Sequence, residues 1–326
     1  MKSEILSLLR ERGNYVSGQE LCQRFNVSRT AVWKAVGQLK KEGYRIEAVQ
    51  NRGYILIPER ELFGQHELES RMNTEWAGHP VRFYDTLPST NLQAKLDAEN
   101  GAEEGTLIVA DMQTAGRGRR GRSWNSPAGT NAYFTLILRP RFSVETASMV
   151  TLVMGLAVAE AIRETCGVEA GIKWPNDIVA GGKKICGMLA EMSVEREYIH
   201  YVVMGAGINV GKQTFPEEIA ATAASLWELC GETVSRAGLI CAVMGNFETH
   251  YASLLQAGDF SGLLDRYNSL LVNRDREVRV LDPREEFCGR ARGINPRGEL
   301  LVEKADGTVV PVCAGEVSVR GVYGYV

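Results

Sequence analysis

Over residues 1–57 the apolar positions recur three times at helical spacing and then twice at alternate positions, an order that few folds satisfy. In the first stretch Ile5, Leu8 and Leu9 share a face. The second opens on Ser17-Gly18-Gln19-Glu20, the pattern of a capping box in which serine and glutamate satisfy each other's backbone amide. It commits Leu21 and Phe25 to the interior. The third starts after Ser28 as N-cap and sets Val32, Val36 and Leu39 on one stripe. It closes on Lys40-Lys41 and Gly43, cations that suit a helix C-terminus followed by a left-handed terminator. Tyr44, Ile46 and Ala48 then alternate with Arg45 and Glu47, a turn falls at Asn51-Arg52-Gly53, and a second strand runs from Tyr54 to Ile57. Three helices and a hairpin in this order predict a winged helix-turn-helix.

With the apolar stripe of the third helix turned inward, Ser28, Arg29, Thr30, Trp33 and Lys34 face outward near its N-terminal end, where a recognition helix meets base edges and phosphates. Arg45 and Arg52 on the wing suit backbone phosphates. Residues 1–57 hold ten basic against five acidic side chains, a net +5, while the whole chain carries −3, which leaves −8 on the remainder. A basic headpiece on an acidic body predicts that only the headpiece meets a polyanion. Winged helices also serve as protein–protein modules, and charge alone does not separate the two uses. The placement of the basic residues on groove-facing elements favours DNA.

The remaining composition sets outer bounds. A chain of 326 residues, 44% hydrophobic and 24% charged, has the make-up of a soluble protein of two or three domains. Met1-Lys2-Ser3-Glu4 leads directly into the first helix pattern, so no signal peptide is expected. The longest apolar run, Met149 to Ala159, is shorter than the roughly 20 residues of a membrane span and predicts a buried helix, with no membrane partner. The seven cysteines are scattered and contain no CxxC pair, which argues against a zinc site or a disulfide framework and for reduced thiols in the cytoplasm.

Pro58 to Gly64 reads as a linker. Beyond it strand-like runs at Val81–Tyr84, Thr106–Ala110, Ala132–Leu138, Gly171–Trp174 and Tyr198–Gly205 mix with helical stretches at Ser89–Asn100, Glu145–Thr165 and Arg236–Leu255. That mixture predicts an α/β or α+β domain. From Val278 to Val326 there are only short alternating runs, broken by Asn295-Pro296-Arg297-Gly298 and Asp306-Gly307, which predict a small β-barrel. The expected division is 1–60, 61–272 and 273–326, an α+β multidomain chain.

Two motifs carry chemistry. Gln113-Thr114-Ala115-Gly116-Arg117-Gly118-Arg119-Arg120-Gly121-Arg122-Ser123-Trp124 packs three glycines and four arginines into seven positions, a loop with free backbone amides and dense positive charge. Such a loop can close over a carboxylate set against a phosphate, and it also fits an exposed basic patch. It contains a literal GxGxxG, but no helix pattern follows Gly121, so a dinucleotide turn is rejected. The second motif is Lys173-Trp174-Pro175-Asn176-Asp177, then a turn at Gly181-Gly182, then Lys183-Lys184-Ile185-Cys186-Gly187. Asn176 and Asp177 fall at a strand end where a ligand or metal is met, and Lys184 enters an apolar strand, where a lysine usually has an anionic partner. Lys183 reads as the solvated residue of the hairpin.

Taken with Gly207-Ile208-Asn209-Val210 and the closing Gly315-Glu316-Val317-Ser318-Val319-Arg320, these motifs resemble the biotin–protein ligases, in the order that family shows and along the whole chain. The basic headpiece resembles that of the bifunctional members, which are also biotin operon repressors. The resemblance implies a central domain like class II aminoacyl-tRNA synthetases and a C-terminal SH3-like β-barrel. It implies an ATP- and Mg2+-dependent ligase that makes biotinyl-5′-AMP and passes biotin to a lysine of the biotin carboxyl carrier protein of acetyl-CoA carboxylase. Ser89, Thr90, Asn91 and Gln113 would then meet the ureido head of biotin, with Gly187 giving close backbone approach. Arg117, Arg119 and Arg122 would lie on the loop over the adenylate, with Trp124 beside it. Lys184, Arg117 and Asp177 would be catalytic, and Lys184 would hold the biotin carboxylate against the α-phosphate. Asn209 would read adenine, Asn176 would sit near the nucleotide, Asp177 near the metal and the incoming amine, and Arg320 near the phosphates. Asn131-Ala132-Tyr133-Phe134-Thr135 departs from the family's usual Leu-Tyr-x-Ser. The resemblance also implies operator DNA as a partner and a homodimer when the adenylate is bound. A lipoate ligase of the same fold and a DNA-binding biotin sensor without catalysis are the competing readings. The intact cationic residues and the Lys-Trp-Pro-Asn-Asp strand end argue for the biotin ligase.

Overall fold

The computed structural model describes residues 1–57, 62–195, 198–281, 286–313 and 318–321. It divides into two compact units, one of Met1–Met72 with Ser235–Gly238 and one of Asn73–Val234 with Leu239–Val326. Of the expected linker, residues 58–61 lie outside the described residues, as do 314–317 of the closing motif.

The first unit holds α1 (Lys2–Arg12), α2 (Gly18–Phe25), α3 (Arg29–Lys41), β1 (Ile46–Val49), β2 (Gly53–Leu56) and α4 (Gln65–Arg71). Ile5, Leu8, Leu9, Leu21, Val32, Val36 and Leu39 form its core, joined by Leu6 and Ala35. Each buried leucine or isoleucine contributes about 1.5–3 kcal/mol. Ser28 accepts the Ala31 amide at 3.2 Å, and Gly43 sits at φ 99° just past α3. The capping box of α2 is only half made. Ser17 accepts the Glu20 amide at 3.0 Å, but the Glu20 carboxylate takes the Arg12 guanidinium at 3.1 Å, a charged donor in place of a backbone amide. On the wing only Ile46 of β1 is buried and Ala48 is exposed, because the hairpin extends past the edge of the core. Val16 and Tyr54 exchange two backbone bonds of 2.8 Å, and Gly53 is required there, since a Cβ would lie 2.1 Å from the Val16 carbonyl.

The second unit is built on a seven-stranded sheet of order β3-β4-β5-β9-β8-β7-β6. Its strands are β3 (Val81–Leu87), β4 (Leu107–Gln113), β5 (Ala132–Leu138), β6 (Gly171–Lys173), β7 (Asp177–Ala180), β8 (Lys183–Glu195) and β9 (Tyr198–Ile208). Among the described residues of this sheet only the β3–β4 pair runs parallel, so the unit is α+β. All seven residues of β5 are buried, as a central strand covered on both faces requires. Against one face lies α5 (Thr90–Glu99), whose Ala94 and Ala98 pack with Ile108, Ile137 and Val203. The helical stretch expected over 145–165 is two helices, α6 (Val144–Ala147) and α7 (Val150–Cys166). Twelve residues of α7 are buried, so the apolar run is a core helix. Strand β6 ends at Lys173, ahead of Pro175, which has no amide to donate to a ladder, and Trp174 is buried in the core.

The short helices α8 (Glu217–Ala220) and α9 (Leu226–Cys230) follow β9, then come α10 (Arg236–Ala257) and α11 (Leu264–Leu270). The chain closes in a five-stranded antiparallel sheet of order β13-β12-β11-β10-β14, formed by β10 (Glu277–Leu281), β11 (Phe287–Ile294), β12 (Leu300–Glu303), β13 (Val309–Val312) and β14 (Ser318–Gly321). Arg320 pairs opposite Arg279 on β14, and its side chain lies outside the described residues. None of the seven cysteines, all among the described residues, forms a disulfide.

Candidate active site

Two rows cross the middle of the large sheet. Tyr133, Gly207, Gly187 and Asp177 stand in register on β5, β9, β8 and β7, and Thr135, Gly205 and Leu189 form the next row on the same face. The glycines leave a trough. A Cβ on Gly205 would strike the side-chain Oδ1 of Asn91 at 2.0 Å, and one on Gly207 would strike the Trp124 indole at 2.5 Å. Over this trough lies a cavity of about 340 Å³, within the size range of small-molecule sites. Its lining includes Arg117, Arg119, Arg120, Arg122 and Lys184 against one carboxylate, Asp177. That balance suits a ligand with several negative charges.

The glycine–arginine stretch is an ordered loop. Gly116 accepts the Trp124 amide at 2.9 Å, Gly118 donates to Arg122 at 2.7 Å, and Arg117 and Ser123 form an antiparallel bridge. Only a single 3-10 turn, Arg119–Gly121, interrupts it, so the GxGxxG opens no α-helix. Arg117 and Arg122 are exposed, whereas Arg119 is half-buried and donates to Asn176 Oδ1 at 2.9 Å. Burial and the neighbouring Arg120 lower the Arg119 pKa, and Asp177 offsets part of that.

Lys184 Nζ lies 2.6 Å from Asp177 Oδ1 and 5.3 Å from the Trp124 ring centroid. Burial pushes the next inward thiol, Cys186, up, so it stays neutral beside the ammonium. Lys183, expected to be solvated, is half-buried: it opens β8 and pairs in register with Ala180, the last residue of β7. Asn176 Nδ2 donates to the Met188 carbonyl at 3.0 Å, which fixes the strand end.

At one end of the cavity Ser89, Thr90, Asn91 and Gln113 come together. Thr90 donates from its amide and hydroxyl to Gln113 Oε1 at 2.9 and 3.1 Å, and Gln113 Nε2 donates to Ser126 at 2.9 Å. Ser89 is buried and its hydroxyl makes no helix-capping bond. Asn91 is committed to protein partners: Nδ2 donates to the Leu189 carbonyl and Glu191, and Oδ1 accepts from Thr135 at 2.7 Å. At the other end Asn209 donates to the Ala224 carbonyl at 3.2 Å. Gln213, Phe215, Ile219, Thr222 and Ala223 complete this end. They sit in a segment without glycine–arginine or strand signals, and sequence reasoning did not single them out. Among the described residues no group of three metal-ligating side chains occurs.

The headpiece residues form a separate surface. Arg29, Thr30, Trp33 and Lys34 are exposed on α3, with Trp33 at 68%. Arg45 lies 3.6 Å from Glu47, and Arg52 stacks 5.8 Å from the Tyr15 ring centroid.

Residues 83–209 match the biotin/lipoate A/B protein ligase family, residues 2–55 a helix-turn-helix domain, and residues 275–320 the C-terminal domain of biotin protein ligases. The chain is 38% identical over 310 residues to the bifunctional ligase/repressor BirA of Bacillus subtilis, covering 94% of this chain and 95% of that one. The protein of the same name from Escherichia coli is 29% identical over 317 residues, covering 97% and 96%. The structure of the Aquifex aeolicus biotin protein ligase in complex with biotin and ATP superposes with a TM-score of 0.65 at 29% identity, covering 74% of this chain and 98% of that one.

Proposed function

The chain belongs to the family of bifunctional biotin–protein ligases and repressors, and from that premise we propose how its cavity joins biotin to ATP and then to a carrier lysine. The observation that carries the reading is the cation-lined cavity around Lys184, built on the Gly187–Gly207 row. In the first step a biotin carboxylate oxygen bonds to the α-phosphorus of ATP, and pyrophosphate leaves. Bringing a carboxylate against a triphosphate costs like-charge repulsion, which Lys184, Arg117, Arg119 and Arg122 offset. In the second step a neutral carrier lysine amine attacks the acyl carbon of biotinyl-5′-AMP, AMP leaves with the acyl–oxygen electron pair, and the amine's proton passes to solvent.

The ureido head, rich in donors and acceptors, is assigned to the polar end at Ser89, Thr90 and Gln113, where the Ser89 hydroxyl makes no helix-capping bond. Asn91 serves there by fastening α5 to β8 and β5. Gly187 allows close approach, and adenine is assigned to Asn209 with Trp124 nearby. Asp177, the single carboxylate of the lining, is the group that suits a nucleotide-borne Mg2+, which typically takes one or two carboxylates and the phosphates. That metal would neutralise the departing pyrophosphate. Asn176 and Asp177 are assigned to the approach of the carrier amine, and Arg320 to the phosphates.

The headpiece residues Ser28, Arg29, Thr30, Trp33, Lys34, Arg45 and Arg52 are assigned to operator DNA. A homodimer formed with the adenylate would present two headpieces to a palindromic site. The division 1–60, 61–272 and 273–326 and a cytoplasmic setting belong to the same reading. Labelled biotin incubated with the chain, ATP, Mg2+ and a biotin carboxyl carrier domain tests it, alongside operator binding with and without adenylate at matched salt. Labelled carrier and adenylate-dependent DNA affinity are expected. Unlabelled carrier defeats the ligase half, and equal DNA affinity defeats the regulatory half.

A further inference from the structure

Thr135, on β5, is fully buried and is absent from the lining of the cavity. Its hydroxyl oxygen lies 2.7 Å from Asn91 Oδ1 and 2.9 Å from Thr90 Oγ1. A hydroxyl carries one proton and an amide oxygen can only accept, so the proton goes to Asn91 and the Thr135 oxygen is left as an acceptor. Gly205 makes room for this pair, since a Cβ there would come within 3.2 Å of Thr135 Oγ1 as well as striking Asn91. The other end of the Asn91 amide is held by the Leu189 carbonyl and Glu191. Protein partners thus set the orientation of the Thr135 hydroxyl.

Thr90, also buried, stands between two acceptors. Its hydroxyl reaches Gln113 Oε1 at 3.1 Å on one side and Thr135 Oγ1 at 2.9 Å on the other. In the first orientation Gln113 Oε1 accepts both the amide and the hydroxyl of Thr90, and both of its lone pairs are used. Gln113 cannot escape by turning over. Its Nε2 donates to Ser126, whose own hydroxyl donates to the Trp124 carbonyl at 3.0 Å. In the second orientation Thr90 donates to Thr135, and one lone pair of Gln113 faces the cavity end unoccupied.

We infer that Thr135 is a positioning residue that gives the Thr90 hydroxyl a second acceptor, so that Gln113 Oε1 can take a ureido N–H without leaving a buried donor unpaired. A buried donor without an acceptor is costly, and that cost would otherwise be subtracted from ligand affinity. The device favours a head group that brings an N–H of its own. A dithiolane head brings none, leaves Thr90 on Gln113, and gains nothing from Thr135. The inference rests on the ligase reading above and adds to it a residue, remote from the ligand, that selects for a donor-bearing ring.

The test uses the full chain and reads the Kd for biotin without nucleotide, the KM for ATP, and Tm. Thr135→Val keeps the shape and removes the hydroxyl. One hydrogen bond lost from the bound state predicts a biotin Kd raised about tenfold, with the KM for ATP unchanged. Thr135→Ser should bind biotin as wild type does, and Thr135→Cys, whose thiol is a weak donor and acceptor, should fall between the two; the cysteine variant also decides the matter if the valine variant does not fold. A fall in Tm shared by all variants would report packing alone, so a double-mutant cycle with Thr90→Val isolates the coupling. In the Thr90→Val background there is no hydroxyl to redirect, and adding Thr135→Val should cost no further biotin affinity. An unchanged biotin Kd in Thr135→Val overturns the inference. So does an equal rise in the KM for ATP, or a biotin penalty that persists in full without the Thr90 hydroxyl. If wild type binds no biotin, the ligase reading itself fails and this inference falls with it.

Discussion

Lys184 and Asp177, on adjacent strands, are joined by a 2.6 Å ion pair in which the lysine side chain is 23% exposed. A half-buried ammonium is favoured by a nearby anion, and Asp177 supplies it while holding Nζ over the trough. A carboxylate and a phosphate placed there would compete with Asp177 for the same ammonium. As Lys184 turns to them, Asp177 becomes available to a metal or an amine. One pair of residues would thus link both half-reactions.

Lys184→Ala is expected to lower adenylate formation about 100- to 1000-fold, the range seen when one donor to a developing anion is removed. The change also removes the 2.6 Å ion-pair partner of Asp177, so Tm should fall while circular dichroism stays close to wild type. Single-turnover formation of biotinyl-5′-AMP checks this, and wild-type rates in the variant would remove Lys184 from the chemistry.

Arg119→Gly is expected to release the intermediate. Arg119 ties the glycine–arginine loop to Asn176 at 2.9 Å, and glycine removes both that bond and the charge. Biotinyl-5′-AMP should then escape and label bystander lysines, read by incubating the variant with an unrelated lysine-rich protein. Labelling confined to the carrier would show that retention does not depend on Arg119.

Acid should weaken the second unit through Glu160. This buried carboxylate of α7 takes His250 Nε2 at 2.6 Å and the Arg266 guanidinium. Burial alone would raise its pKa, but the bonds from His250 and Arg266 outweigh burial and hold it below the usual carboxylate range. A depressed folded pKa adds stability that is complete above the unfolded value, about 4.3, and is lost as pH falls through the folded value. Glu160→Gln is expected to cost about 3 kcal/mol near neutrality, as for removal of one partner of a buried pair. The gap to wild type should narrow below about pH 4.3. Denaturant melts across pH measure it, and a constant gap would contradict the assignment.

On the headpiece, Trp33→Ala should leave Tm nearly unchanged, because the ring is 68% exposed, and weaken DNA binding. Lys34→Ala should weaken binding to all sequences alike and reduce the slope of log affinity against log salt by about one. Fluorescence anisotropy over a salt series separates the two effects. Binding untouched by both changes would point to a protein partner for this face.

Much of this was legible in the chain because two periodicities and a few special residues carry it. Ser28, Val32, Val36 and Leu39 set α3 by capping and spacing, and the glycines of the arginine loop exclude helix and strand. Elsewhere the deciding force was tertiary. Nothing near Glu20 indicated that Arg12 would draw its carboxylate from the cap. Asn91 carries the same amide whether it meets ligand or fastens α5, and only Glu191, Leu189 and Thr135 around it decide. Asn131 and Gln213 lie 82 positions apart, and their two side-chain amide hydrogen bonds form because β5 and β9 are neighbours in the sheet.

The most direct measurement is biotin-dependent exchange of labelled pyrophosphate into ATP with Mg2+, with lipoate in a parallel reaction. Exchange with biotin and not with lipoate is the predicted result. No exchange with biotin would contradict the ligase reading, leaving a biotin sensor without catalysis, or a lipoate enzyme if the second reaction exchanged.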